Sequence, residues 1–177
     1  MKYFLVGIKG SGMAALAQIL LDRKEEVIGS DTDRYVFTQE ELERRGITIY
    51  EFNQYDFKDI DFVIFGHSYK ESFEVKKAKE MNIKTIEYNT FLSSLLKEKY
   101  SIAICGSHGK TSSVGMLTHL LKSFNPSYLR GDGMGKWTDS KYFIFEACEY
   151  QNHFLEYEPN EIIILNIDYD HNDYFKS

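Results

Sequence analysis

The chain opens on an apolar run, Lys2–Val6, too short for a helix and cut off by a glycine-rich stretch over residues 7–12. That pattern predicts a buried strand and a turn, and the apolar spacing over 13–22 predicts a helix. A second strand is expected at 26–29, and Thr38-x-x-Glu41 has capping-box spacing for a helix reaching Arg45. Residues 48–50, 62–65 and 84–86 read as further strands, with a helix over 73–81 and a linking helix over 90–98. Strands alternating with helices imply a parallel sheet covered by helices, an α/β arrangement. From Tyr100 the alternation restarts: a strand, a glycine turn, helical spacing over 114–122, a polar loop around 130–140, and strands at 142–147 and 161–167.

Two glycine loops follow strands and open helices. In the second, the strand ending at Cys105 runs into Gly106-Ser107-His108-Gly109-Lys110-Thr111-Ser112. Glycines let backbone N–H groups turn inward, the helix dipole favours negative charge, and a lysine and a threonine reach phosphates and their magnesium. Two residues separate these glycines where the standard phosphate-loop pattern has four, and Ile104 stands where that pattern has glycine. The alternative is a glycine turn before a helix with an exposed lysine; the strand before and the helix after favour a nucleoside triphosphate site. His108, inside the turn, is placed to contact an acceptor substrate.

In the first loop, the stretch from Gly10 through Ser11, Gly12 and Met13 fits a dinucleotide fingerprint, with Asp31 near the expected distance. The same geometry holds NAD or the diphosphate of a nucleotide sugar, and Lys9 in place of a middle glycine disfavours a plain NAD site. Asp31 reads equally as a neighbour of ribose or base and as a strand-end cap. His67 either lines this first site or shapes a turn.

Glu146 and Glu149 follow one apolar strand, and Asp168, Asp170 and His171 follow another. Ligands of parallel sheets bind off the carboxyl ends of strands, so these groups are expected beside Lys110 and Thr111. A carboxylate and an imidazole there could hold magnesium bridging phosphate oxygens. The competing reading is that acids merely solubilise strand ends. His119 reads as a surface or packing residue of its helix, and His153 as loop or site.

Composition narrows the classes. Of 177 residues, 43% are hydrophobic and 15% aromatic, with two prolines, which supports a packed core and excludes disorder. A formal charge of −6 and a pI near 5.4 argue against a nucleic-acid surface but not against a phosphate ligand. Cys105 and Cys148 have no metal-type spacing and no disulfide framework, as suits a reducing compartment. No segment reads as a signal peptide or bilayer span, so a cytoplasmic protein is expected.

The segments GIKGSGMAALAQIL, GSHGKTS, LRGDGMG, FIFEACEYQNHFLEYEP and NIDYDHNDYF together resemble the Mur ligases of peptidoglycan synthesis. The likeness is greatest to the branch that joins L-alanine to UDP-N-acetylmuramate in low-GC Gram-positive bacteria. It implies a Rossmann-like UDP-sugar-binding domain over 1–98 and the first, incomplete part of a P-loop α/β ATPase domain over 99–177. It implies UDP-sugar binding by Gly10, Ser11, Gly12 and Met13, with Asp31 near the uridine. It implies ATP held by Gly106, Ser107, Gly109, Lys110, Thr111 and Ser112, and Mg2+ held by Thr111, Glu146 and His171, with Glu149 as the second choice of carboxylate. The implied chemistry is amide ligation through an acyl phosphate, with Lys110 and magnesium stabilising the transferring phosphoryl group. Family members run more than twice this length, so the chain is expected to bind UDP-sugar without turnover, the L-alanine site lying mostly elsewhere. Asn172 stands where a proline is common in the family. Alternatives are a non-catalytic nucleotide-sugar-binding paralogue, a murein peptide ligase relative, and an NAD-binding oxidoreductase domain, which leaves the second half without a task.

Overall fold

The computed structural model describes residues 1–148 and 155–168. The first sheet is made by β1 (Lys2–Val6), β2 (Glu26–Asp31), β3 (Thr48–Glu51), β4 (Phe62–Phe65) and β5 (Lys84–Glu87), in the order β3-β2-β1-β4-β5. All four strand pairs are parallel. Four helices accompany it: α1 (Ser11–Asp22), α2 (Gln39–Arg44), α3 (Phe73–Glu80) and α4 (Tyr88–Leu96). β1 is central and buried from Tyr3 to Val6, as expected of a continuous apolar run in a parallel sheet.

The second sheet contains β6 (Tyr100–Cys105), β7 (Ser127–Leu129), β8 (Gly135–Lys136), β9 (Tyr142–Glu146) and β10 (Glu161–Ile164), in the order β10-β6-β9-β7-β8. It is parallel except for the β7–β8 pair. Helix α5 (Lys110–Leu120) follows β6 and starts at the lysine itself, four residues before the expected helical spacing. The chain is thus α/β in both halves, with a parallel sheet first and a mixed sheet second.

A hairpin absent from the sequence reading ties the halves together. The expected polar loop over 130–140 contains β8, which pairs with β7 and packs on α1. That contact explains why α1 is buried from Met13 to Leu20, including Gln18. The Gln18 amide donates to the carbonyls of Ala14 (3.1 Å) and Gly133 (2.6 Å), and its oxygen accepts the Gly135 N–H at 3.4 Å. A side chain on Gly135 would overlap the Ala15 carbonyl. Close by, the Trp137 ring carries the Arg23 guanidinium at 4.4 Å and the Lys99 ammonium at 4.2 Å, and Asp22 accepts the backbone N–H of Trp137 at 2.9 Å. One hydrophobic cluster runs from Leu5, Leu16 and Ile64 in the first half to Ala103, Leu129 and Phe143 in the second.

The capping box is a correction. Thr38 has helical dihedrals and makes no cap bond. Its hydroxyl donates instead to the Lys9 carbonyl in the first glycine loop (2.5 Å), and Glu41 pairs with Arg44 (2.6 Å). Tertiary contact with the loop overrides the local motif.

Candidate functional site

The first glycine loop is shaped from behind. Gly7 has φ +75°, and the Tyr69 ring occupies the space a side chain would need there. Asp31 is buried; its Oδ2 accepts the Lys9 N–H and its Oδ1 the Thr32 N–H, both at 2.7 Å. Lys9 is buried as well, its ammonium donating to the carbonyls of Thr32 (2.8 Å) and Arg34 (3.0 Å). Asp31 therefore occupies the strand-end capping position and is not part of the cavity wall. Gly10 caps α1 and turns the first free N–H groups of the helix toward open space.

That space is a cavity of about 420 Å3 lined by Gly10, Ser11, Gly12, Met13 and His67, with Tyr69, Tyr88 and Tyr157 beside them. His67 Nδ1 lies 2.9 Å from Glu87 Oε1, which orients the ring at the cavity rim. Gly12 abuts Tyr88: a Cβ there would lie 2.8 Å from the phenol oxygen. Burial pushes the Tyr88 and Tyr157 phenols well above the ordinary tyrosine value, so both stay neutral, and Tyr157 donates to Asn89 Oδ1 at 2.9 Å. The second half of the chain adds Leu129, Arg130, Gly131, Glu146 and Cys148 to the wall.

The second glycine loop adopts the geometry its sequence demands, with Gly106 at φ +138° and Gly109 at φ +84°. Residues after β10 grip it. Asn166 accepts the His108 N–H and donates to the His108 carbonyl, both at 3.0 Å. The Ser107 hydroxyl donates to the Asp168 carbonyl at 2.9 Å and accepts its N–H at 3.0 Å. Lys110 folds over the loop and donates to the Gly106 carbonyl at 2.6 Å. The Thr111 hydroxyl donates to Glu146 Oε2 at 2.7 Å, and the same oxygen accepts the Gly131 N–H at 2.9 Å. A second cavity, about 290 Å3, is lined by Ser107, His108, Gly109, Lys110, Thr111, Ser112 and Glu146. Glu146 thus forms part of the wall of both cavities.

Of the sequence-derived metal residues, Thr111 and Glu146 meet, while His171 lies outside the described residues, as do Glu149 and His153. Among the described residues no group of three His, Cys, Asp or Glu side chains forms a metal cluster. The Thr111 hydroxyl and Glu146 carboxylate nonetheless present adjacent oxygens, the donor type Mg2+ prefers. His119 is exposed on α5, as expected. Sequence reasoning missed Tyr88, Arg130 and Gly131 in the cavity wall and the grip of Asn166 on the loop. For Asn166 the signal was present, since it follows an apolar strand alongside Asp168.

An α/β chain with two glycine loops facing adjoining cavities matches the family described as Mur ligase family, catalytic domain, over residues 2–100, and the chain belongs to that family. Among solved structures it is similar to the UDP-N-acetylmuramate:L-alanyl-gamma-D-glutamyl-meso-diaminopimelate ligase of Neisseria meningitides, with 26% identity, a TM-score of 0.83, and coverage of 98% of this chain and 63% of that one. It is equally similar to the UDP-N-acetylmuramate–alanine ligase of Thermotoga maritima, with 26% identity, a TM-score of 0.84, and coverage of 98% and 43%. A murein peptide ligase of Psychrobacter arcticus matches at 25% identity and a TM-score of 0.81, over 98% of this chain and 44% of that one. The chain therefore spans less than two thirds of the length of these relatives. Among the described residues no helix is long and apolar enough to cross a membrane.

Proposed function

We propose that this chain is the N-terminal part of an ATP-dependent ligase that activates the carboxylate of UDP-N-acetylmuramate and joins it to L-alanine, in the cytoplasm, as in the Gram-positive branch of the family. Residues 1–98 bind the UDP-sugar and residues 99–177 bind ATP. The observation that carries this reading is Glu146, which borders both the cavity at the N-terminus of α1 and the cavity around Lys110.

In this reading the diphosphate lies against Gly10, Ser11, Gly12 and Met13, where free N–H groups and the helix dipole favour negative charge. His67 reaches it from the rim, held by Glu87. The loop from Gly106 to Ser112 takes the ATP phosphates, with Lys110 leaving the loop carbonyls for the γ-phosphate. Bound Mg2+ would neutralise phosphate charge, and Thr111 and Glu146 would hold it, with His171 as a further ligand. A carboxylate oxygen of the sugar attacks the γ-phosphorus of ATP, and ADP leaves with the electron pair of the broken P–O bond. The alanine amine then attacks the acyl carbon and gives up a proton, and inorganic phosphate departs. His108, exposed and lining the same cavity as Lys110, meets the incoming amine in this reading.

The likeness to the alanine-adding and peptide-adding ligases is equal in identity, which favours a second reading with a peptide as acceptor. Both share UDP-N-acetylmuramate chemistry. Calorimetric titration with UDP-N-acetylmuramate, UDP and NAD tests the common part: the uridine ligands are expected to bind, and a preference for NAD overturns it. Lys110→Ala is expected to abolish ATP binding while leaving UDP-sugar affinity unchanged, because the two loops face different cavities.

A further inference from the structure

Among the described residues lining the first cavity, Arg130 is the one arginine or lysine. It directly follows β7 and precedes Gly131, whose N–H is bound to Glu146. It also borders the groove along α5 formed by Thr111, Ser112 and Gly115, where a Cβ on Gly115 would sit 3.8 Å from the guanidinium carbon. The cation therefore stands between the first cavity and the groove along α5, one residue from the contact that fixes Glu146.

Its hydrogen bonding is incomplete. Nη2 pairs with Asp132 Oδ2 at 2.5 Å, whereas the Nε–H is enclosed and meets no acceptor among the described residues. Enclosed donors almost always find a partner, because desolvation without one is uncompensated. A guanidinium that borders an open cavity suits a planar oxyanion, which it can engage through a fork of parallel donors. Glu146 adds a second reason. A carboxylated ligand brought to this junction meets a like charge, and a fixed cation beside it offsets the repulsion.

Resting on the function proposed above, we infer that Arg130 binds the carboxylate of the sugar acid, the group to be phosphorylated. It thereby makes the cavity select a carboxylated nucleotide sugar over its neutral counterpart. Phosphate oxygens of ATP are the competing oxyanion, and the test separates them.

The chain is titrated with UDP-N-acetylmuramate, with UDP-N-acetylglucosamine (the same ligand without the lactyl acid) and with Mg-ATP. Wild type is expected to prefer the acid by about tenfold or more, since a site built around a ligand group rejects the analogue lacking it. Arg130→Gln is expected to bring the two sugars within about threefold by weakening the acid alone, with Arg130→Lys intermediate. Equal wild-type affinities overturn the inference, as does an Arg130→Gln variant that weakens both sugars alike, spares the preference or instead weakens ATP. Melting curves establish that each variant folds. If the glutamine variant does not, an undiminished preference in Arg130→Lys overturns the inference, and a diminished one supports it. Failure of wild type to bind either sugar overturns the function itself, whereas sugar binding with an intact preference in Arg130→Gln overturns the role of Arg130 alone.

Discussion

Oε2 of Glu146 accepts from both the Thr111 hydroxyl and the Gly131 N–H, and there is no room for a side chain on Gly131 beside it. Gly131→Ala is therefore expected to displace the carboxylate. The expected loss is about tenfold or more in Mg-ATP affinity by calorimetry, with the far-ultraviolet dichroism unchanged. Glu146 was legible because an acid ending an apolar strand stands out. Gly131 was not, because its requirement comes from a carboxylate fifteen positions along the chain. Thr38 shows the converse: the local motif was present, but its hydroxyl found a stronger use in the glycine loop. Two phenols give a pH prediction. Burial raises Tyr88 and Tyr157, so the folded state favours their neutral forms. Their contribution to stability is complete below the ordinary tyrosine value, about pH 10, and declines as pH rises beyond it. In a spectrophotometric titration these two are expected to ionise last, together with alkaline unfolding.

The β7–β8 hairpin shows what two- and three-residue strands hide at the scale of elements. They are too short to display a period, so the sequence reads there as a polar loop, although it covers an otherwise exposed side of α1. Gly135→Val would drive a branched side chain into the Ala15 carbonyl. Such overpacking is expected to lower stability by about 2–3 kcal/mol, read as a fall in denaturant midpoint at constant slope. Gln18→Leu removes the partner of the Gly133 carbonyl and the Gly135 N–H, and should cost about 1–3 kcal/mol by the same measurement. β1, β4 and β6 were legible as apolar runs too short for a helix, and α1 by the spacing of its apolar positions.

Across the whole molecule, alternation of strands and helices fixed the α/β class, but strand order lay beyond it. β9 enters between β6 and β7, and this insertion brings Glu146 beside the Lys110 loop. Only non-local pairing decides that placement. Because one core runs through both sheets, thermal unfolding is expected to be a single transition. Trp137, the sole tryptophan, lies between α1 and the second sheet, so its fluorescence should change together with the far-ultraviolet signal. Two separated transitions would show that the halves melt independently. The shared carboxylate wall carries a thermodynamic corollary. If a guest in one chamber re-aims Glu146, it alters the neighbour's affinity by some factor, and that neighbour must return the identical factor. Each occupant then becomes a gauge of the other's presence, without any domain having to swing.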